Sequence, residues 1–179
     1  MLAERLGAEL TREPGGTPIS NRIRELVLDR ALTELTNRTE ALLMAAARAQ
    51  HVEERILPAL MAGRHVVSDR FVASSLAYQG VGRGLGVEVV GDLNAFATGG
   101  LEPDLTVLLD TDPTAARGRL GDQLDRIEEA GEDLGRRVVE TYRQFATAAP
   151  ERWLVVDANG SIEEVSERVL RAVSERLGL

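Results

Sequence analysis

The stretch RHVVSDRFVASSLAYQGVGRG, residues 64–84, decides the fold that this sequence predicts. It opens with the apolar run His65-Val66-Val67, whose β-branched residues are typical of a buried strand. The polar residues Ser68-Asp69-Arg70 follow where that strand would leave the sheet. Because ligands of open α/β sheets bind at the carboxyl ends of the strands, this acid and base suit a metal ion and a phosphate. An isolated Asp-Arg pair would also fit a surface salt bridge, but the polar residues behind it favour a binding site.

Composition indicates a globular protein and excludes several kinds of site. With 179 residues, 44% of them hydrophobic, the chain is expected to form a single domain over residues 1–179. It contains no cysteine, which excludes disulfides and thiolate metal sites, and its net charge of -8 argues against nucleic-acid binding. No apolar run reaches the ~18 residues of a membrane span and no signal peptide is recognisable, so we expect a cytoplasmic protein. All 21 basic residues are arginine, and guanidinium groups bind phosphates bidentately.

Apolar periodicity predicts strands and helices in alternation. Strands are expected at residues 8–11, 65–67, 105–110 and 153–156, with helices at residues 19–28, 37–60, 87–97, 134–145 and 162–177. Such alternation predicts βαβ units and a parallel sheet covered by helices on both faces. Asn37 and Glu40 fit a capping arrangement at the start of the second helix. The charged, glycine-broken residues 117–128 are expected to form a flap, or else a solvated loop.

Two other segments carry residues of interest. Residues 12–18 contain two prolines and two glycines, which predicts a loop of defined shape. In the second helix, Met44 and Arg48 lie four residues apart and so share a face. From residue type alone, Met44 is expected in the core, Arg48 in solvent and His51 on the helix surface.

Three segments in this order resemble bacterial thymidylate kinases, which phosphorylate dTMP to dTDP with ATP. They are TREPGGTP at residues 11–18, SDRFVASSLAYQGVGRG at 68–84 and PDLTVLLD at 103–110. The LDRIE of the flap and the helix ALLMAAARAQHVEERILPAL are also similar to this family. The resemblance covers essentially the whole chain and implies an α/β fold of the P-loop NTPase class, of nucleoside monophosphate kinase type. It also implies a homodimer.

The resemblance implies roles for matching residues on the dTMP side. Arg48 and Arg70 would bind the 5′-phosphate, and Asp69 would hold Mg²⁺ through water. Met44 stands where the family often has a phenylalanine that stacks on thymine, so an apolar contact is kept without planar stacking. Ser74 and Ser75 would face the thymine edge, and Tyr78 would lie against the sugar. Arg12 and Glu13 would lie in the loop that faces the sugar and phosphates. Gln79 completes the set of implied substrate-binding residues.

On the ATP side, the resemblance implies that three arginines of residues 117–128 close over the donor. These are Arg117, Arg119 and Arg126, and Asn159 would contribute to the same site. Cations at this place would offset charge on the transferring phosphoryl group. The predicted cofactors are therefore ATP as phosphoryl donor and Mg²⁺.

One departure from the family pattern is severe. The family begins with a strand followed by G-x-x-x-x-G-K-[ST], a loop that holds the ATP phosphates. This motif does not occur in the 179 residues, and there is no lysine to complete it. We therefore expect a fragment or a start assigned at an internal methionine, with a sheet that lacks its first central strand and splits into two strand pairs. The alternatives are a non-catalytic nucleotide monophosphate-binding protein and a kinase for another deoxynucleotide.

Overall fold

The computed structural model describes residues 2–112, 126–127 and 131–178. The strands are β1 (Glu9–Arg12), β2 (Val66–Asp69), β3 (Thr106–Asp110) and β4 (Trp153–Asp157). The helices are α1 (Leu2–Arg5), α2 (Pro18–Leu28), α3 (Asn37–His51), α4 (Leu57–Met61), α5 (Val72–Ser75), α6 (Val87–Thr98), α7 (Glu132–Ala148) and α8 (Ile162–Leu177). Two π-helical segments, Val52–Ile56 and Leu76–Gly82, follow α3 and α5 directly. Of the predicted flap, only Arg126 and Ile127 lie within the described residues.

The four strands form two parallel pairs. β1 pairs with β2, so that Arg12 lies opposite Asp69, and β3 pairs with β4, so that Asp110 lies opposite Asp157. Within the described ranges these pairs are separate two-stranded sheets. The parallel pairing and the alternation with helices confirm the predicted α/β class. Two strand pairs are also what the sequence predicts for a sheet without a central strand.

The strands are less covered than the prediction of helices on both faces implies. Leu10 of β1, Leu109 of β3 and Val155 of β4 are 62%, 51% and 57% exposed. Strands of parallel sheets are normally buried on both faces. At these three positions the described residues leave the apolar side chains open.

Helix α3 is the centre of the packing, because it lies against both α2 and α6. Its N-cap is Thr36, whose Oγ1 accepts a hydrogen bond from the backbone of Thr39. The predicted capping arrangement of Asn37 with Glu40 is therefore wrong. Asn37 is instead the first helical residue, and Glu40 is fully buried. A buried carboxylate requires hydrogen-bonding or charged partners in the fold.

Pro58 explains the first π-helical segment. Proline lacks a backbone donor and its ring clashes with the carbonyl four residues earlier. The preceding turn, Val52–Ile56, widens into a π-helix, and the helical path then continues through α4. The polar stretch after β2 is also helical, through α5 and the second π-helical segment. A Cβ at Gly82 would lie 2.4 Å from Leu134, so this glycine allows the segment to pack against α7.

A smaller cluster lies between the second π-helical segment and α7. Ala77, Leu134 and Val138 are its buried members, and Tyr78, Tyr142 and Phe145 pack against it. This cluster fixes α7 behind the polar residues that follow β2. No helix in the described ranges is long and apolar enough to span a membrane.

Candidate functional site at the carboxyl ends of β1 and β2

The carboxyl ends of β1 and β2 bring the predicted polar residues to one edge. Arg12 and Asp69 lie opposite each other in the last register position, and both are exposed. A cavity of about 450 Å³ opens there, lined by residues that include Thr11, Gly16 and Arg55. The Asp69 carboxylate accepts no hydrogen bond from any residue that the structure describes. An acid, a base and open space therefore meet where the fold class places its ligands.

Arg70 follows Asp69 in an unusual backbone conformation. Its φ of 71° makes it the one described residue other than glycine with a positive φ. The hydroxyl of Ser68 donates to the Arg70 carbonyl at 2.7 Å and supports this turn. The guanidinium lies 5.4 Å from the ring centre of Tyr78, a cation–π arrangement. Strained backbone of this kind costs about 1–3 kcal/mol and is often found at functional sites.

The loop after β1 turns Glu13 into the interior. Glu13 is 4% exposed, and its carboxylate receives Arg48 Nε at 2.7 Å and contacts His51 Nδ1 at 2.9 Å. The other ring nitrogen of His51 lies 2.7 Å from Thr11 Oγ1. Gly16, at a φ of 95°, passes so close that a Cβ there would lie 2.5 Å from His51 Nε2. His51 is therefore buried beneath this loop and supports it. The prediction that His51 lies on the helix surface is wrong.

Arg55 fixes the same loop from the outside. Its guanidinium donates to the carbonyls of Gly16 and Leu10 at 3.0 and 3.1 Å and to Glu9 Oε1 at 2.9 Å. Arg48, His51 and Arg55 thus form one basic helix face that holds residues 9–16. No local pattern could reveal this role of Arg55, because its partners are at least 39 residues away in the chain.

Arg48 is buried rather than solvated. Besides Glu13, its guanidinium donates to Ser75 Oγ at 2.9 Å and to Asn94 Oδ1, and it stacks 5.5 Å from the centre of the Phe71 ring. Two of its nitrogens, Nε and Nη1, are therefore engaged by the protein itself. The part implied for Arg48 in phosphate binding stays a prediction, and the structure places this side chain beneath Ser75.

Ser74 lies beside a residue that the sequence does not single out. The Ser74 hydroxyl lies 2.7 Å from the hydroxyl of Tyr142, which comes from α7. Burial raises the pKa of Tyr142 above its usual value, so the phenol is neutral at physiological pH. Sixty-eight residues separate the two hydroxyls in the sequence, and no local pattern could reveal their contact.

Gln79 and Arg126 meet at the buried Glu40. Gln79 Nε2 and Arg126 Nη2 donate to this carboxylate at 2.8 and 2.6 Å, and Arg83 donates to both of its oxygens. Burial opposes ionisation of Glu40, but the hydrogen bonds from Gln79, Arg83 and Arg126 prevail and lower its pKa. Arg126 also donates to the Val27 carbonyl at 2.8 Å, at the end of α2. In this structure Arg126 is therefore held in place by Glu40 and the Val27 carbonyl.

The remaining predicted residues lie in three places. Met44 is half-buried on α3, one turn before Arg48. Asn159 joins the ends of β3 and β4, because its Oδ1 accepts from Thr111 Oγ1 at 3.1 Å and its Nδ2 donates to Asp157 at 2.7 Å. Arg117 and Arg119 lie outside the described residues, so their proximity to the others stays a prediction.

Fold and site together define an α/β protein with a polar site at the carboxyl ends of parallel strands, of the kind that binds phosphorylated ligands. Comparison with known proteins identifies the particular family. The family model for thymidylate kinase matches residues 1–169. The chain therefore belongs to the thymidylate kinase family.

Curated relatives agree with this assignment. The thymidylate kinase of Lactobacillus delbrueckii subsp. bulgaricus is 51% identical over 161 residues, which cover 87% of this chain and 76% of the relative. That of Enterococcus faecalis is 45% identical over 185 residues, covering 98% and 87% of the two chains. That of Symbiobacterium thermophilum is 49% identical over 168 residues, covering 93% and 78%.

Proposed function

We propose that this protein phosphorylates dTMP to dTDP with ATP, and that the edge formed by β1 and β2 binds dTMP. The observation that carries the proposal is the convergence of Asp69 and Arg70 with the helical segment that bears Ser74 and Ser75. Family membership favours a kinase over a non-catalytic nucleotide-binding protein. An acidic chain that nevertheless gathers arginines at one site is suited to a small anionic substrate.

In this proposal Arg70 is the principal ligand of the 5′-phosphate. Arg70 is an exposed residue at the end of β2 whose guanidinium lies against the ring of Tyr78, whereas the Nε and Nη1 of Arg48 are already engaged by Glu13, Ser75 and Asn94. Arg48 would then act on dTMP mainly by holding Ser75 at the thymine edge. Met44 would contact the base, and Tyr78, which lies under Arg70, would border the sugar.

Asp69 fits the proposed Mg²⁺ ligand. Mg²⁺ prefers oxygen ligands, keeps several waters and is often bound by one or two carboxylates plus substrate phosphates. Asp69 is exposed at the end of β2 and is free of hydrogen bonds to its side chain from the described residues. Bound there, the ion would neutralise charge on the phosphoryl group during transfer.

The 179 residues contain fewer elements of the proposed ATP site than of the proposed dTMP site. Asn159 joins the loops after β3 and β4, and we propose that it borders the donor nucleotide. The 179 residues contain neither a lysine nor the G-x-x-x-x-G-K-[ST] loop that holds the donor phosphates in P-loop kinases. We therefore assign to these residues the dTMP side of the proposed reaction, through Asp69, Arg70 and the segment that bears Ser74 and Ser75.

Calorimetric titration of the purified chain with a panel of nucleoside monophosphates tests the proposed substrate. We expect dTMP to bind most tightly, and dCMP, dAMP, dGMP and UMP at least about 10-fold more weakly, because hydrogen-bonding sites discriminate strongly between unlike groups. Tighter binding of another nucleotide of the panel would overturn the choice of substrate.

We also propose that the protein is a homodimer. Val89 and Phe96 lie seven residues apart on one face of α6 and are 64% and 89% exposed, and Leu42 of the adjoining α3 is 57% exposed. An exposed apolar face of this kind is suited to a second copy of the chain. Sedimentation should show a dimer for the wild type and a monomer for Phe96→Asp. A monomeric wild type at micromolar concentration would contradict this assignment.

A further inference from the structure

Both tyrosines of this chain lie beside the proposed phosphate ligand. Tyr78 lies under the Arg70 guanidinium, and the Tyr142 hydroxyl contacts Ser74, which follows Arg70 by four residues. Tyr78 belongs to a segment that the sequence assigns to the site. Tyr142 comes from α7, an element to which neither the family motifs quoted above nor the proposed function gives a part in substrate binding.

The ring of Tyr142 is fixed by packing that does not need its hydroxyl. The ring centre lies 6.3 Å from that of Trp153 at an interplanar angle of 60°, and the ring packs against the cluster of Ala77, Leu134 and Val138. Phe145, one turn further along α7, makes a similar contact with Trp153 at 6.2 Å. A phenylalanine could make these apolar contacts equally well. The ring contacts therefore fix the position of the hydroxyl, although the hydroxyl takes no part in them.

That place determines what Ser74 can offer to a ligand. A serine hydroxyl has one hydrogen to donate and two lone pairs to accept with. When Tyr142 donates to Ser74 Oγ, the hydrogen of Ser74 is left for an acceptor in the site, such as a carbonyl or phosphate oxygen. The 2.7 Å separation between the two oxygens is that of a well-formed hydrogen bond between hydroxyls.

We propose that Tyr142 is a positioning residue of the dTMP site, whose hydroxyl fixes the rotamer and the hydrogen-bond polarity of Ser74 so that Ser74 donates to the bound nucleotide. This inference rests on the proposed function, since it takes dTMP as the ligand of Ser74. Its physical basis is the short hydroxyl–hydroxyl contact together with the fixed ring. Tyr142 does not itself contact the nucleotide in this account.

Tyr142→Phe tests the proposal with the smallest possible change. The ring contacts are kept, so the thermal midpoint should stay close to that of the wild type. The dissociation constant for dTMP should rise about 3- to 10-fold, as expected for the loss of one neutral hydrogen bond. Phe145→Leu is the matched control, because it disturbs the same cluster without reaching Ser74. It should lower the thermal midpoint and leave dTMP affinity unchanged.

A double-mutant cycle with Ser74→Ala separates positioning from general packing. If Tyr142 acts through Ser74, the Tyr142→Phe change should have almost no further effect on dTMP affinity in the Ser74→Ala background. Effects of the two substitutions that simply add would overturn the proposal, as would unchanged dTMP affinity in Tyr142→Phe. A wild type that binds no dTMP would overturn the proposed function and this inference with it. Binding with additive effects overturns the inference alone.

Discussion

Replacement of Arg70 by alanine is expected to weaken dTMP binding at least about 100-fold. Hydrogen bonds to a charged group contribute about 1.5–3 kcal/mol each, and a guanidinium can form two with one phosphate. Each 1.4 kcal/mol corresponds to about a tenfold change in affinity. Because the Nε and Nη1 of Arg48 are already engaged by the protein, Arg48 is not free to replace the lost bidentate contact. Calorimetric titration of the variant with dTMP measures the loss.

Two further variants and one further ligand make this prediction specific. Arg70→Lys keeps the charge but loses the planar fork, so its affinity should fall between those of the wild type and the alanine variant. Arg143→Ala removes an exposed guanidinium that pairs with Asp110 at the end of β3, and it should bind dTMP normally. Thymidine, which lacks the phosphate, should bind the wild type and Arg70→Ala alike. An equal loss of thymidine and dTMP affinity would mean that Arg70 acts on the fold of the site instead.

Replacement of Glu13 by alanine is expected to destabilise the protein by about 3–5 kcal/mol, the usual cost of breaking a buried ion pair. The side chains of Glu13 and Arg48 are each 3% exposed and lie 2.7 Å apart. Without the carboxylate, the Arg48 charge stays buried with only the neutral oxygens of Ser75 and Asn94, and His51 loses its partner at Nδ1. Urea denaturation of the wild type and the variant gives the difference in free energy of unfolding.

The matched control for Glu13→Ala is an ion pair on the surface. Asp133 and Arg136 lie 2.6 Å apart on α7, but their side chains are 81% and 75% exposed. Asp133→Ala should change the free energy of unfolding by less than about 1 kcal/mol. Replacing both buried partners, as Glu13→Leu with Arg48→Met, should recover much of the loss, because no unpaired charge then remains. If Glu13→Ala does not fold, Glu13→Gln keeps the shape and should still show a clear loss. A loss under about 1 kcal/mol for both variants would contradict the account.

The strand predicted at residues 65–67 and the polar residues predicted at its end are confirmed by β2. Val66 and Val67 occupy β2, and Asp69 lies in register with Arg12 at the carboxyl end of the pair. These features follow from β-branched composition, strand length and a switch to polar residues, which are all properties of neighbouring residues. For the same reason, the alternation of strands and helices was enough to predict the α/β class.

The partners that hold the site could not be predicted in this way. His51 meets Glu13 across 38 residues of sequence, Asn94 meets Arg48 across 46, and Arg126 meets Glu40 across 86. A histidine or a glutamate on a helix is usually solvated, and only the tertiary fold shows that these two are buried. Gly80 and Gly82 let a helical segment pack against Val87 and Leu134, and no local pattern reveals these two partners.

A crystal structure of the chain with dTMP bound would show directly whether the edge formed by β1 and β2 is the dTMP site. We expect the 5′-phosphate at the end of β2, with its oxygens about 2.7–2.9 Å from the Arg70 guanidinium. We also expect the thymine ring against Met44 and Ser75, and the sugar beside Tyr78. A phosphate bound elsewhere, with Arg70 still stacked on Tyr78 and free of the ligand, would contradict the account.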